Sequence, residues 1–397
     1  MRLGRAILEG GLVIAAATGT AATGYTPAST VKTDVLAAAA LVRLTEYAIT
    51  TPGGSSSTCN IHNVAKRREW GSLSSSQRIA YTDAVKCLMT KPSLLDPVLY
   101  PGAKTRFDDF VAVHINQTFS IHGTANFLSW HRLFTWHYER ALRTECGYNG
   151  YQPYWNWGKY AFDPVNSPIF DGSATSMSGN GAFVPHNCTP GLPTGLNCIP
   201  PGNGGGCINS GPFANMSVNL GPIGPTLIAD GVVPAPAPFA YNPRCLRRDV
   251  SSWVSSNWTT DAESFDLMTS YNDIASFQAR MQGDFATGYY GVHTAGHFTI
   301  GGDPGGDFWA SPGDPAFYLH HAQIDRTWWI WQNYKNPGAR TRALAGTITL
   351  NNTPPSRNGT LEDVLDMHVL GESFRIGEVM STVGMGPDGG PLCYVYV

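Results

Sequence analysis

At 397 residues, with 14% charged side chains and a net charge of -3, the chain falls well below the roughly 25% charge content of an average soluble protein. Neither sign is in surplus, which excludes the electrostatic footprint of a nucleic-acid or anionic-membrane binder. The length is ample for a substantial core in one large domain or two ordinary ones, and beyond the N-terminus no segment is apolar and long enough to span a bilayer.

Arg2 and Arg5 precede an apolar, alanine-rich stretch that ends in small residues, so residues 1–24 are expected to be a secretory signal peptide and 25–397 a single domain. Glu9, Gly10 and Gly11 fit an apolar leader poorly, and a disordered N-terminus is the alternative. Val31 to Thr50 is alanine- and leucine-rich with Lys32, Asp34, Arg43 and Glu46 interspersed, the pattern of an amphipathic helix. Ser74, Ser75 and Ser76 can cap a second helix running to Met89, with Pro92 as punctuation. Cys87 on that helix is a candidate partner for Cys59.

Phe107 to Cys146 is rich in aromatic and aliphatic residues with histidines spread through it, and closes in the helix-like WHRLFTWHYERALRTE. Residues 160–245 turn to Gly, Pro, Asn and Ser, which implies irregular loops pinned by Cys188, Cys198, Cys207 and Cys245. Helical character returns over Asp261 to Gln282, and a second histidine-bearing region spans His293 to Gln332. TITL at 347–350 and the closing YVYV read as strands. The eight cysteines form no CxxC pair, so disulfides in an oxidising, extracellular setting are their expected use. Asn116, Asn187, Asn215, Asn257, Asn351 and Asn358 each begin an N-glycosylation sequon, relevant only in a eukaryotic secretory pathway.

His293 and His297, in HTAGH, stand four apart, which on a helix puts both imidazoles on one face. Asp314 and Pro315 can start a helix presenting His320 and His321, only one of which can share that facing direction. His114, His122 and His131 supply a second triad. Imidazoles without carboxylate or thiolate favour copper in an oxidising setting, although zinc, iron and nickel also accept them. His62, His137, His186 and His368 lie outside these clusters and read as ordinary surface or core residues. Trp130, Trp136, Trp328, Trp329 and Trp331 read as packing, Arg132 and Arg326 as structural ion pairs.

Taken together, HGTANFLSWHR, HTAGH and DPAFYLHHAQIDRTWWIWQ resemble the copper A and copper B signatures of the tyrosinase, catechol oxidase and mollusc-type haemocyanin family. The resemblance implies a mainly α fold, an antiparallel four-helix bundle with long disulfide-pinned loops and a few short strands, holding two copper ions. It implies His114, His122 and His131 on copper A and His293, His297 and His321 on copper B, with His320 beside the site and Phe317 packed against it. Asp325, four residues past His321, is expected to orient that imidazole. Tyr394-Val395-Tyr396 matches the family's YxY ending, with Arg67 or Arg68 as its arginine contact.

The implied activity is oxidation of catechols to o-quinones by dioxygen, with small phenols and dioxygen as the partners, no nucleic acid or membrane, and the oligomeric state open. Three positions depart from the family pattern. Thr294 stands where an asparagine helps accept a monophenol proton, and the matching upstream glutamate is missing from MQGDF, where Gln282 and Asp284 are nearest. Ser120 replaces a cysteine that many relatives join to His122. These departures predict strong diphenolase and weak or absent monophenolase activity. Phe308 and Trp309 are candidates for a gate over copper A. The alternatives are an o-aminophenol or methoxyphenol oxidase, a haemocyanin-like dioxygen carrier, disfavoured because the blocking domain is not expected, and a zinc hydrolase, disfavoured because HTAGH lacks the glutamate of HExxH.

Overall fold

The computed structural model describes residues 24–51, 59–60, 62–189, 198–224, 232–385 and 388–397; the expected signal peptide lies outside them, apart from Gly24. Nine helices of seven residues or more are described: α1 Val31–Thr50, α2 Ser75–Leu88, α3 Arg106–Ile121, α4 Phe127–Cys146, α5 Ser252–Trp258, α6 Asp261–Ser270, α7 Ile274–Gln282, α8 Gly291–Ile300 and α9 Ala316–Asn333.

Their ends follow local chemistry. Ser74 accepts from the Gln77 amide while the Gln77 side chain accepts from the Ser74 amide, a capping box that starts α2. Thr105 and Asp108 do the same for α3. Gly147, with a left-handed φ of 67°, closes α4. The expected helix over Asp261 to Gln282 is instead two, because Tyr271 is extended and the Asp273 carboxylate accepts from the Ser276 amide to start α7.

Helix α9 is buried over its whole length. It packs against α1, α4, α6 and α8, and α3 packs against α4, so α3, α4, α8 and α9 form the bundle and the others surround it. A helix buried on every face must satisfy its own polar side chains internally, and His320, His321, Asp325 and Arg326 all lie on α9. Trp130, Trp328, Trp329 and Trp331 fill the surrounding core, as their spacing implied; Trp136 is partly buried and packs against Arg140.

Sheet is limited to two-stranded pairs among the described residues. Ala65–Arg67 runs parallel to Tyr394–Tyr396, with Arg67 opposite Tyr396. The expected strand at 347–350 is not formed. Thr347 makes one isolated bridge to Asn358, and Leu350–Asn352 is a tight turn in which Asn351 is left-handed at φ 49°.

The described disulfides are Cys59–Cys393, Cys87–Cys146, Cys188–Cys198 and Cys207–Cys245. Cys87 therefore does not pair with Cys59. It sits at the end of α2, which packs on α4, and meets Cys146 at the end of that helix, whereas Cys59 lies just ahead of the strand that pairs with the C-terminus. The other two bonds close the glycine- and proline-rich loops as expected. No helix among the described residues is long and apolar enough to cross a membrane.

Candidate metal centre

Two buried groups of histidines come together in the bundle. In each, one ligand atom per residue lies within 4.8 Å of the others: His114, His122 and His131 in the first, His293, His297, His320 and His321 in the second. The groups abut, with the rings of His131 and His321 stacked at 4.6 Å between centroids and His122 and His293 6.1 Å apart.

Backbone carbonyls orient the first group. His114 Nδ1 lies 2.6 Å from the Trp309 carbonyl, His122 Nδ1 2.9 Å from that of Thr118, and His131 Nδ1 2.8 Å from that of Phe127. A carbonyl oxygen only accepts, so each Nδ1 carries the proton and each Nε2 presents a lone pair. The Nε2 atoms of His114 and His131 are buried and make no hydrogen bond. Left this way they are costly; a metal ion satisfies them.

The second group offers four imidazoles, and hydrogen bonding separates them. His320 Nε2 donates to the His293 carbonyl at 3.0 Å, and its Nδ1 accepts from the Trp157 indole at 3.1 Å. Both nitrogens are used, so His320 has no lone pair to give. His321 Nε2 instead faces His297 Nε2 at 3.2 Å, and His293 has no hydrogen bond at either nitrogen. His293, His297 and His321 are the three free to hold an ion.

Burial lowers the basicity of all these rings; His122 is brought down to about 4 by burial alone, and neighbouring imidazoles add to the effect at His297, brought down to about 3, and at the others, which also fall well below the ordinary value. The chain thus keeps its imidazoles neutral, the state a metal needs. A set of nitrogen donors without carboxylate or thiolate fits copper.

Aromatic rings fix the remaining surfaces. Phe317 stacks on His321 at 4.0 Å and touches His114 and His297 edge-on or tilted at 5.6 Å each, the packing expected of it. Phe308 lies 4.6 Å from His122, and Trp309 packs against Phe308 and Phe119.

Asp325 does not orient His321. Its carboxylate accepts from Arg132 at 2.6 Å, from the Tyr394 and Tyr396 hydroxyls at 2.5 and 2.6 Å, and from Arg67 at 3.4 Å. A fully buried carboxylate is drawn to its charge partners, and two guanidinium groups outcompete an imidazole. His321 Nδ1 makes no hydrogen bond; stacking on Phe317 and His131 sets its orientation. Of the two candidate arginines, Arg67 is the one that meets the tyrosines, with its guanidinium 3.6 Å over the Tyr394 ring. Arg68 bonds the Ser72 carbonyl instead.

Phe127, Trp157 and Gly296 also shape the site, beyond the residues that the sequence motifs mark. Phe127 packs on His131 and His293 at 5.3 and 4.8 Å. Gly296 leaves room for the His320 ring, which a Cβ there would strike. A glycine inside a helical motif is a readable sign of close packing. Trp157 gave no such sign, since its contact arises 163 residues away in sequence. His137 and His186 bond the Glu372 carbonyl and Asp249, and no histidine outside the two regions joins either group among the described residues.

A family model described as the common central domain of tyrosinase matches residues 104–334. The tyrosinase-like protein orsC of Emericella nidulans is 42% identical over 306 residues, spanning 74% of this chain and 80% of that protein. The N-acetyl-6-hydroxytryptophan oxidase ivoB of the same organism is 40% identical over 365 residues, 88% of this chain and 96% of that one. Among solved structures, a variant of polyphenol oxidase from Thermothelomyces thermophila superposes with a TM-score of 0.85 at 43% identity, covering 93% of this chain and 98% of the other.

Proposed function

The chain belongs to the tyrosinase family of type 3 dicopper oxidases, and on that footing we propose that it oxidises o-diphenols to o-quinones with dioxygen while hydroxylating monophenols weakly or not at all. In this reading His114, His122 and His131 hold one copper and His293, His297 and His321 the other. The bound pair supplies one-electron redox steps and a place for dioxygen.

The residues around the ions do the rest. Carbonyl-anchored imidazoles keep their Nε2 lone pairs aimed inward, Phe317 and Phe127 keep water out of the space between the groups, and Phe308 with Trp309 forms the wall over His122 that limits substrate size. A catechol sheds its protons more readily than a monophenol, so it makes less demand on a protein base.

The observation that carries the diphenol bias is the absence, among the described residues, of such a base beside His293. The Thr294 hydroxyl is committed, donating to the Gln282 carbonyl at 2.7 Å. The Gln282 side chain is a neutral amide whose oxygen accepts from the Gly123 amide at 2.8 Å. Asp284 is exposed to solvent. The charges acting most strongly on His293 all come from imidazoles.

A second substrate class is favoured by one relative, whose name makes it an oxidase of N-acetyl-6-hydroxytryptophan; nitrogen-bearing phenols such as o-aminophenols belong in the same assay. Initial rates on catechol, o-aminophenol and tyrosine, measured side by side, test the reading. Catechol should be fastest and tyrosine slowest, and comparable rates on tyrosine and catechol would overturn it. Four disulfides fit passage through an oxidising compartment.

A further inference from the structure

His122 is the one proposed ligand outside a helix. It caps the end of α3 in extended conformation, φ -124° and ψ 141°, whereas His114, His131, His293, His297 and His321 are all held within helices. Ser120, two residues earlier, offers no covalent tether; its hydroxyl donates to the Gln117 carbonyl. The His122 ring bonds the Thr118 carbonyl through Nδ1 and packs against Phe308, and among the described residues no side chain hydrogen-bonds it. Metal sites need ligands held to within about 0.5 Å, so something else must fix this segment.

The adjoining peptide shows what does. Gly123 is left-handed at φ 58°, and a Cβ there would come within 2.7 Å of Asn351 Oδ1 and 2.9 Å of Leu350. Its carbonyl accepts from the Asn351 amide at 3.2 Å. Its own N–H donates to Gln282, and since an N–H must face an acceptor, the amide oxygen is the atom turned toward it. The Gln282 amide nitrogen is steadied by the Gln278 carbonyl at 3.2 Å. On its other side the Gln282 carbonyl receives the Thr294 hydroxyl. One residue therefore joins the neighbour of His122 to the neighbour of His293, linking the two histidine groups.

We propose that Gln282 is a positioning residue that staples the His122 loop to the His293 helix and so holds the two copper sites in register without a covalent tether on His122. This rests on the ligand assignment made above. Gln282 touches neither ion nor substrate; it acts through the peptide after His122.

The test is copper retention in the loaded protein under excess EDTA, followed by metal analysis. Gln282→Leu should release one of its two coppers about tenfold faster than the parent, the lower end of what an outer-sphere partner contributes. Gln282→Asn keeps the amide but falls one methylene short and should behave like Gln282→Leu. Gln282→Glu keeps the oxygen acceptor for Gly123, although it loses the donor to the Gln278 carbonyl, and should release copper at close to the parent rate. Equal release from the Leu, Asn and Glu variants overturns the proposal, as does parent-like release from Gln282→Leu. If Gln282→Leu fails to fold, the comparison of Asn with Glu decides. Catechol turnover with no effect of any variant on copper release refutes the staple and leaves the oxidase reading. Copper-tight protein without catechol turnover, whose Asn variant leaks copper, refutes the oxidase reading and leaves the staple.

Discussion

His320 Nε2 lies 3.0 Å from the carbonyl oxygen of His293, while the next residue, His321, turns its Nε2 to face His297 at 3.2 Å. Adjacent positions on one helix differ by about 100° in direction, so one ring braces the helix that carries His293 and His297 and the other turns toward the neighbouring imidazoles. Copper content should divide the two. His321→Ala should fall from two coppers per chain to about one, whereas His320→Gln, which keeps a donor and an acceptor, should retain both. The reverse pattern would exchange their roles.

The second relationship on α9 concerns stability. Arg67 and Arg132 are both fully buried and share the Asp325 carboxylate. Asp325→Asn should destabilise the protein by about 3–5 kcal/mol, because it leaves the Arg132 guanidinium buried without a counter-charge, whereas Arg67 keeps Glu139 at 2.9 Å. Tyr394→Phe, which deletes one hydroxyl bond, should cost about 1 kcal/mol. Denaturant unfolding measures both, and equal effects would mean that the ion pairs contribute nothing beyond a neutral hydrogen bond.

Asp325 and the histidines also give the pH profile its direction. Burial pushes the Asp325 carboxyl up, but Arg132, Arg67 and the two tyrosine hydroxyls outweigh it and leave it below the ordinary value. Its contribution is therefore complete above the unfolded carboxyl range and is lost as the pH falls through the folded value, below about 4. The histidines act at higher pH. Their folded values are depressed, from 6.5 to about 4 for His122 and about 3 for His297, so between those values and 6.5 the unfolded chain binds more protons than the folded one. Metal-free protein should lose stability steadily on acidification from about pH 6.5 toward 4. A melting temperature independent of pH across that window would contradict the buried, neutral state of these rings.

Much of this is legible in the sequence. The motifs mark the two histidine groups that the fold brings together, and serine caps and amphipathic patterning mark α1 and α2, because those signals are local. What failed depends on contacts between distant segments. Asp325 at i+4 from His321 suggested a local pair, yet Arg67, 258 residues away, and Arg132, 193 away, claimed it. Cys87 looked near Cys59 in sequence, but helix packing brought it to Cys146. TITL has the composition of a strand, but its backbone bonds are divided between Ala125 and the Arg357–Asn358 segment, so no continuous ladder forms. Neither Gln282 nor Trp157 carries a sequence mark of its bridging role, since each acts through partners on other elements.

The diphenol bias can be tested by restoring what is missing. Thr294→Asn places a carboxamide directly after His293, where the family pattern has an asparagine. The variant should raise tyrosine hydroxylation measurably above the parent, with catechol oxidation little changed. No gain, in protein carrying two coppers, would show that the bias lies in pocket shape instead.

The most direct test of the dicopper diphenol oxidase combines metal analysis with an oxygen electrode on one preparation. Two coppers per chain are expected, with rapid uptake of one dioxygen for every two catechols added and slow uptake on tyrosine. Zinc in place of copper, reversible dioxygen binding without turnover, or lag-free oxidation of tyrosine at the catechol rate would contradict that expectation.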